Sequence, residues 1–490
     1  MKTIKSYIAA CMMAAVFGQG CKSDLLELSP ESFLTSSNFP QTASDIDQLT
    51  IGIYSRLQSR KPGDYLVMEV PSDNLFMSAN QSIAGSFELD GLTPEPSNPL
   101  LNNFWISTYN AIFRANSVLV GIDKPTDYKA GLKDQYIGEA KFLRGLLYFD
   151  LVRVFGDVPK ATTVLSIEES RNTRKSPAAE IYQLIVDDLT DAAAKLPLQS
   201  GIAKGRATKA AALALLIKVQ VYRKEWAAAK AASDQLATIQ GYGLVGNFAD
   251  LWKLNNEDNP ESIFSLKYID GSNGHGLSTA FIPNAGSAGI VNRGDEVALP
   301  SWSLIKLYND ADKRKAATVS LNYTAASNGA PTIFYPYVAK YAVAHTFQAS
   351  GLDLPVIRYA DVVLLRAEIA FRRNQPAAAL AALNEIRERA FGDDAHNYTA
   401  ADIATETTFY DKLLLERQLE FAYENERWFD LTRTGRFAQL VKEERNYNNV
   451  TQTAVTATLR PQAFMRVFPI PQVQIGQAAP GVLEQTQGYY

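Results

Sequence analysis

Three glycines in the middle of the chain have the spacing of a dinucleotide-binding fingerprint. Gly241, Gly243 and Gly246 match the pattern Gly-x-Gly-x-x-Gly. In a working fingerprint these glycines follow a β-strand and open a helix, so that backbone N–H groups meet a pyrophosphate. Here they follow residues 209–239, whose apolar pattern predicts a helical hairpin. We therefore do not predict a nucleotide site.

A second set of residues imitates the motifs of penicillin-recognising serine enzymes. Ser303 and Lys306 have the Ser-x-x-Lys spacing, and residues 72–74 read Ser-Asp-Asn. The two motifs stand in the wrong order for such an enzyme, and no Lys-Thr-Gly follows them. Chance is the better explanation, and no serine nucleophile is predicted.

The histidines and carboxylates give no compact catalytic pattern. His275, His345 and His396 are scattered, without the pairing expected of a metal site or of a general base with an orienting partner. Glycoside hydrolysis needs only two carboxylates about 5–10 Å apart, which sequence order cannot exclude. A surface glycosidase or peptidase therefore remains an alternative. Ion pairing along a helix better explains the acidic run of Glu416, Glu420, Glu424 and Glu426.

The N-terminus has the features of a lipoprotein signal. Lys2 and Lys5 precede an apolar run at residues 6–17, which is too short to span a bilayer about 30 Å thick. Small residues at 18–20 then lead into Cys21, so residues 1–20 are predicted to be a cleaved signal and Cys21 the lipidated N-terminus. Ordinary secretion with an incidental cysteine is the alternative, because Gly18 stands where a leucine is usual.

The composition is that of a folded globular protein without an excess of basic residues. Cys11 lies inside the signal, so lipidation of Cys21 would leave no free thiol and no disulfide. Hydrophobic residues make up 47% of the chain and charged residues 20%, which are ordinary globular values. The formal net charge of −4 argues against nucleic acid as a partner.

The elements that would position any site are mainly helical. Apolar residues recur at helical spacing over residues 45–57, 105–122, 136–155 and 178–196. Residues 209–239 and 359–390 read as helical hairpins, in which Ala229 and Ala379 occupy equivalent positions three residues into the second helix. Close helix packing at small residues is typical of tetratricopeptide-type pairs, although plain alanine-rich hairpins would look similar.

Two irregular regions interrupt the helical blocks. Residues 77–100 are polar, and residues 270–350 are rich in Gly, Ser, Asn and scattered aromatics. Binding sites are usually built from such loops on a helical scaffold, here residues 40–265 and 355–445. No composition shift marks a boundary, so residues 21–490 are predicted to form one large domain.

Several short segments are informative when they are read together and in order. They are Glu139-Ala-Lys-Phe-Leu-Arg144, Phe155-Gly-Asp-Val-Pro159, Gly205-Arg-Ala-Thr-Lys209, Arg358-Tyr-Ala-Asp361, Leu383-Asn-Glu-Ile-Arg-Glu-Arg389, Glu416-Arg-Gln-Leu-Glu420, Glu426-Arg-Trp-Phe-Asp430 and Phe468-Pro-Ile-Pro471. Together they resemble the SusD/RagB family of Bacteroidetes surface lipoproteins, and the resemblance covers essentially the whole mature chain.

The resemblance implies a fold, a function and partners. The fold would be mainly α, with tetratricopeptide-like helical pairs and an irregular binding region. The protein would bind oligosaccharides without being an enzyme and deliver them to a TonB-dependent, SusC-like transporter. It would sit in the outer membrane on its lipid anchor, facing the exterior. A peptide cargo or a purely structural accessory role stays open, as does bound calcium; no other cofactor is expected.

Sugar sites need aromatic rings to stack on and polar side chains that bond hydroxyl groups. We take candidates from the irregular stretches and the residues beside them, although each aromatic among them can equally be a core residue. Trp302 is left out, because its neighbours predict a buried helix start. The candidates are Asp73, Asn74, Phe76, Asn80, Tyr268, His275, Phe281 and Asn284.

Overall fold

The computed structural model describes residues 39–80, 82–327, 330–438, 440–445 and 454–489. The predicted signal at residues 1–20 and Cys21 lie outside the described residues. The helices are α1 (Ala43–Arg60), α2 (Tyr65–Met68), α3 (Ser86–Asp90), α4 (Pro99–Gly121), α5 (Leu132–Phe155), α6 (Ile167–Arg171), α7 (Ala178–Lys195), α8 (Lys209–Tyr222), α9 (Trp226–Ala237), α10 (Leu277–Ala280), α11 (Trp302–Ile305), α12 (Arg314–Thr318), α13 (Tyr359–Arg372), α14 (Pro376–Phe391), α15 (Glu406–Phe421), α16 (Arg427–Arg433) and α17 (Gln472–Gln477).

The long helices confirm the prediction from apolar periodicity. Helices α1, α4, α5 and α7 cover the four predicted segments, with ends shifted by a few residues. Local signals explain the boundaries: Thr42 and Asp45 form a capping box at the start of α1, and Asn98 caps α4 ahead of Pro99. Helix α5 is the centre of the core, and every residue from Phe142 to Phe155 is buried.

Both predicted hairpins are present and are built alike. Helices α8 and α9 turn at Lys224, and helices α13 and α14 turn at Asn374, each residue having a positive φ. Ala229 and Ala379 are fully buried, as close packing of paired helices requires. The mainly α fold with tetratricopeptide-like helical pairs is therefore confirmed.

In the described parts of the chain, strands form only two-stranded antiparallel pairs. The strands are β1 (Leu75–Met77), β2 (Val158–Pro159), β3 (Lys175–Ser176), β4 (Ser262–Leu266), β5 (Ala298–Pro300), β6 (Val319–Thr324), β7 (Thr332–Val338), β8 (Leu354–Arg358), β9 (Leu440–Arg445) and β10 (Ala454–Leu459). The pair β1–β5 joins the first irregular region to the second, with Phe76 opposite Leu299. The pair β6–β7 forms a hairpin within the second region.

A network of buried ion pairs, here called the arginine cluster, ties the C-terminal helices to the scaffold. Glu420 of α15 accepts bonds from Arg358 at 2.9 Å and Arg389 at 2.6 Å, and lies 3.5 Å from Arg314. Burial alone would raise the pKa of Glu420, but the guanidinium groups of Arg389 and Arg358 outweigh it and hold that pKa well below its usual range. The acidic run therefore has a structural role between helices. The cluster comprises Glu261, Arg314, Arg358, Arg389, Glu416 and Glu420.

Candidate functional site

One buried carboxylate gathers polar groups from two loops and from strand β7. Glu296 Oε1 accepts a hydrogen bond from Asn80 Nδ2 at 2.8 Å, from Ser78 Oγ at 3.3 Å and from the Tyr335 hydroxyl. Glu296 Oε2 accepts one from the Asn284 backbone N–H at 3.0 Å. Glu296 is 4% exposed, whereas both asparagines are exposed. A single carboxylate thus holds the side chain of one exposed asparagine and the backbone of another at the surface.

The strand pairing explains why these residues meet. Ser78 follows β1 and Glu296 precedes β5, and the Ser78 N–H donates to the Val297 carbonyl at 3.0 Å. The Glu296 N–H donates to Ile282 O at 2.9 Å, which brings the loop holding Asn284 alongside. Glu296 itself has a positive φ of 45°. This is an unfavourable conformation for a residue with a side chain, and it is retained where surrounding contacts fix it.

Aromatic rings on the β6–β7 hairpin stand beside this carboxylate. The rings of Tyr323 and Tyr335 meet edge to face with centroids 5.7 Å apart. Trp302 and Phe334 stack at 6.2 Å with an interplanar angle of 21°. All four rings are half-buried, so each keeps part of its surface exposed. We call the set Ser78, Asn80, Asn284, Glu296, Tyr323 and Tyr335 the Glu296 cluster.

The structure brings two of the predicted site residues together, leaves Asp73 half-buried and places the others inside the protein. Asn80 and Asn284 share Glu296, as described above. Asp73 forms a two-bond ion pair with Arg427, at 2.7 and 2.9 Å. Asn74 is fully buried and donates to Glu69 Oε1 at 2.7 Å. The side chains of Asp73 and Asn74 thus make their bonds within the scaffold.

The remaining predicted residues are also interior. Phe76 is buried in β1, and Phe281 is buried with its ring stacked on Tyr341 at 6.0 Å. Tyr268 donates to the Gln58 carbonyl at 2.7 Å. His275 packs edge to face on Tyr268, with ring centroids 4.6 Å apart. These aromatic side chains are thus core residues beneath the loops, which is the alternative that the sequence left open for each aromatic candidate.

His275 is held as a neutral imidazole. Its Nε2 lies 2.8 Å from the Leu352 carbonyl and its Nδ1 lies 3.1 Å from the Leu277 N–H, so Nε2 donates and Nδ1 accepts. Burial lowers the pKa of His275 to about 4. The residue therefore fastens the loop that contains α10 to the segment before β8.

Glu296, Tyr323 and Tyr335 are not among the residues that the sequence pattern singled out. The composition of residues 270–350 signalled a binding region but did not single these residues out. Glu296 lies in the polar segment Arg-Gly-Asp-Glu, whose sequence does not indicate a binding-site residue. Trp302, excluded as a buried helix start, does begin α11 but is only half-buried.

The site offers groups for binding. Both oxygens of Glu296 accept hydrogen bonds from the protein's own donors, so this carboxylate serves to hold the loops in place.

Among the described residues, no group of three or more His, Cys, Asp or Glu side chains is arranged to hold a metal ion. In the same part of the chain, every helix is too short or too polar to cross a membrane.

Two family models match separate N-terminal and C-terminal parts of the chain. A model described as the SusD family matches residues 313–489, and one described as starch-binding associating with outer membrane matches residues 24–221. SusD-like protein P25 of Formosa agariphila is 26% identical over 472 residues, covering 86% of this chain and 88% of its own. A SusD-like protein of Bacteroides ovatus is 23% identical, covering 87% and 82%.

Solved structures share the whole fold. Surface glycan-binding protein A from Bacteroides fluxus superposes with a TM-score of 0.75 at 22% identity, covering 92% of this chain and 100% of its own. Surface glycan-binding protein A from Bacteroides thetaiotaomicron, solved in complex with laminarihexaose, gives a TM-score of 0.73 at 21% identity and covers 91% and 99%. With both ends of the sequence matched and the helical fold shared, the chain belongs to the SusD/RagB family.

Proposed function

We propose that this protein binds oligosaccharides at the Glu296 cluster and passes them, uncleaved, to a TonB-dependent transporter. One observation carries the binding proposal: two exposed asparagines from different loops are anchored by one buried carboxylate beside half-exposed tyrosines. Within the described residues, the Asn80 side chain makes that single bond to Glu296, and the Asn284 side chain makes none. Both amides thus retain capacity for sugar hydroxyl groups.

The aromatic surface complements those amides. Sugar rings present apolar C–H faces, which stack on the exposed parts of aromatic rings. Tyr323 and Tyr335 lie at the carboxylate, and Phe334 on the same hairpin stacks on Trp302 of α11. Preformed amide and ring geometry lowers the entropic cost of binding. The names of two related structures, one bound to laminarihexaose and one called laminarin binding, support a glycan cargo.

Delivery and display complete the proposal. Cys21 would carry the lipid that holds the protein in the outer membrane, with the folded body facing the exterior. The description of one matching family model, associating with outer membrane, supports that location. The transporter would form the channel, and this chain would act as the lid that captures cargo.

Native affinity electrophoresis tests the binding proposal. Soluble protein starting at Ser23 would be run in gels containing laminarin and then a panel of plant, host and microbial polysaccharides, with the glycan checked afterwards for cleavage. We expect retardation by an intact glycan, lost in the Asn80→Ala/Asn284→Ala double variant. Asn255→Ala, an exposed asparagine in a different turn, is the control.

Each other outcome has a defined meaning. Retardation that persists in the double variant would place the binding site elsewhere. No retardation across the panel would favour peptide cargo or a structural role, and cleavage products would indicate an enzyme.

A further inference from the structure

A cavity of about 790 Å³ lies in the helical scaffold. Its walls are the segment between α7 and α8, the segment that follows α9 and the segment that contains β4. The residues of the Glu296 cluster are not part of these walls. Small-molecule sites usually have volumes of about 300–1,000 Å³ and are largely preformed. The cavity is therefore large enough for a small organic ligand.

The glycines that imitate a dinucleotide fingerprint help to build one of these walls. Gly241 lines the cavity and has a positive φ of 96°, which glycine adopts without strain. The Gly243 N–H donates to the Pro260 carbonyl at 3.1 Å, and Pro260 lines the cavity from the segment that contains β4. Backbone hydrogen bonding thus joins two of the walls.

Three of the four cationic side chains in the lining are paired with carboxylates. Lys204 and Lys267 both contact Asp258, at 2.6 and 2.7 Å. A carboxylate in contact with a cation compensates its charge, so these groups serve to hold the walls together. The complete set of pairs is Lys204–Asp258, Lys267–Asp258, Lys267–Asp353, Arg206–Asp47 and Arg206–Glu139.

Lys209, the fourth cation, has no such partner. In the described parts of the chain, its ammonium group forms no ion pair and no side-chain hydrogen bond, although the residue is half-buried. A half-buried ammonium without a counter-charge is unfavourable, because it has lost part of its hydration. Helix α8 begins at this residue, and the positive end of its dipole also favours an anion. A ligand carboxylate would supply the missing charge.

The rest of the lining suits a sugar ring that carries the carboxylate. Gln199, Ser200 and Gln240 are exposed and offer amide and hydroxyl groups to sugar hydroxyls. Tyr242 is half-buried, and sugar C–H faces stack on the exposed part of such a ring. A doubly charged phosphate is usually bound by several cations or by a free guanidinium, whereas one free ammonium matches a singly charged carboxylate.

We propose that this cavity, here called the Lys209 cavity, binds a carboxylated sugar of the uronic acid class, with Lys209 as the ion-pair partner of the carboxylate. The site is separate from the Glu296 cluster and does not depend on the function proposed for that cluster. It gives the helical scaffold a ligand of its own.

Ligand-observed NMR titration of the full mature chain tests the proposal. The probe is D-glucuronate, and its methyl ester is the matched neutral compound, because the ester has the same ring and hydroxyl groups without the charge. Lys209→Met keeps most of the apolar side-chain volume and removes the ammonium group. Lys129→Met, at an exposed lysine between α4 and α5, is the control variant.

We expect D-glucuronate to bind at least tenfold more tightly than its methyl ester. This preference should be lost in Lys209→Met and kept in Lys129→Met. The Asn80→Ala/Asn284→Ala double variant should bind D-glucuronate within twofold of the unaltered protein, even if it no longer binds the glycan found by electrophoresis. The two proposals can therefore fail separately.

Four results would overturn the proposal. They are no binding of D-glucuronate, equal binding of the acid and its ester, an unchanged preference in a folded Lys209→Met variant, and loss of D-glucuronate binding in the double asparagine variant. The comparison of acid and ester uses the unaltered protein, so it decides the question even if Lys209→Met does not fold.

Discussion

Two buried carboxylates, Glu420 in the arginine cluster and Glu296 in the Glu296 cluster, have very different partners. Glu420 meets three guanidinium groups, all of them buried. Glu296 meets a phenol, an amide, a hydroxyl and a backbone N–H, and two of its partner residues are exposed. The first arrangement compensates charge and locks helices together. The second orients neutral polar groups at the surface, where a neutral polyhydroxylated ligand can use them.

The comparison suggests a division of labour between the two regions. A buried carboxylate is costly unless it is paired, and opposite charges in contact compensate it most directly. Neutral donors to Glu296 hold the loops without placing cations at the surface. The scaffold should therefore be sensitive to loss of charge, and the loops to loss of hydrogen bonds.

The largest expected effect is in the arginine cluster. Glu420→Gln should lower the free energy of unfolding by about 3–5 kcal/mol, because buried guanidinium groups lose their compensating charge. Glu406→Gln on the same helix is the control, since its partner Arg372 and Glu406 itself are far more exposed; its cost should be under about 1 kcal/mol. Urea titration followed by circular dichroism measures both. Equal costs for the two variants would refute the structural role of the cluster.

Acid should loosen the loop region before the arginine cluster. The folded state lowers the pKa of His275 to about 4, so its contribution is complete above about pH 6.5 and is lost as the pH falls towards 4. The expected loss is about 2–3 kcal/mol at pH 4.5. The lowered pKa of Glu420 keeps that carboxylate of the arginine cluster ionised through this range.

Hydrogen exchange at pH 6.5 and 4.5 checks this order. Protection should fall around residues 275–277 and 350–352 while α15 stays protected. His275→Gln, which cannot titrate, should remove the pH dependence of the loop. If α15 loses protection first, acid does not loosen the loop region before the arginine cluster, and the expected order is wrong.

Removing the organising carboxylate should affect binding more than folding. Glu296→Ala leaves the Tyr335 hydroxyl and the Asn284 N–H without their acceptor, for a cost of about 1–3 kcal/mol in unfolding free energy. Under the proposed function, glycan affinity should fall at least tenfold, since both asparagines lose their anchor. Calorimetric titration with the glycan found by electrophoresis measures the affinity. Asp295→Asn, at the neighbouring position, is the control; an equal loss there would deny Glu296 a special role.

The smallest effects should separate the two asparagines. Asn80→Ala removes a side-chain bond to Glu296 and should cost about 1 kcal/mol in stability. Asn284 is bound through its backbone N–H, so Asn284→Ala should change stability by less than about 0.5 kcal/mol. Each should weaken glycan binding severalfold. Unchanged affinity in both variants would remove the asparagines from the site.

The helices and the irregular regions could be predicted because their signals are local. Apolar spacing predicted α5, and the equivalent alanines Ala229 and Ala379 indicated paired hairpins. Polar, turn-rich composition located the loops. Individual site residues were predicted less well. Asn80 and Asn284 remain in the candidate site, whereas Asn74, which has the same side chain, is fully buried.

The sequence by itself determined the helical scaffold, the loop-rich regions and the likeness to a family, because periodicity and short motifs need only neighbouring residues. The tertiary structure alone decided which polar side chains face water and which partners they meet. Asn80 and Glu296 lie 216 positions apart and meet only because β1 pairs with β5. Burial and hydrogen bonding across such separations depend on how whole elements pack, which residue order does not specify.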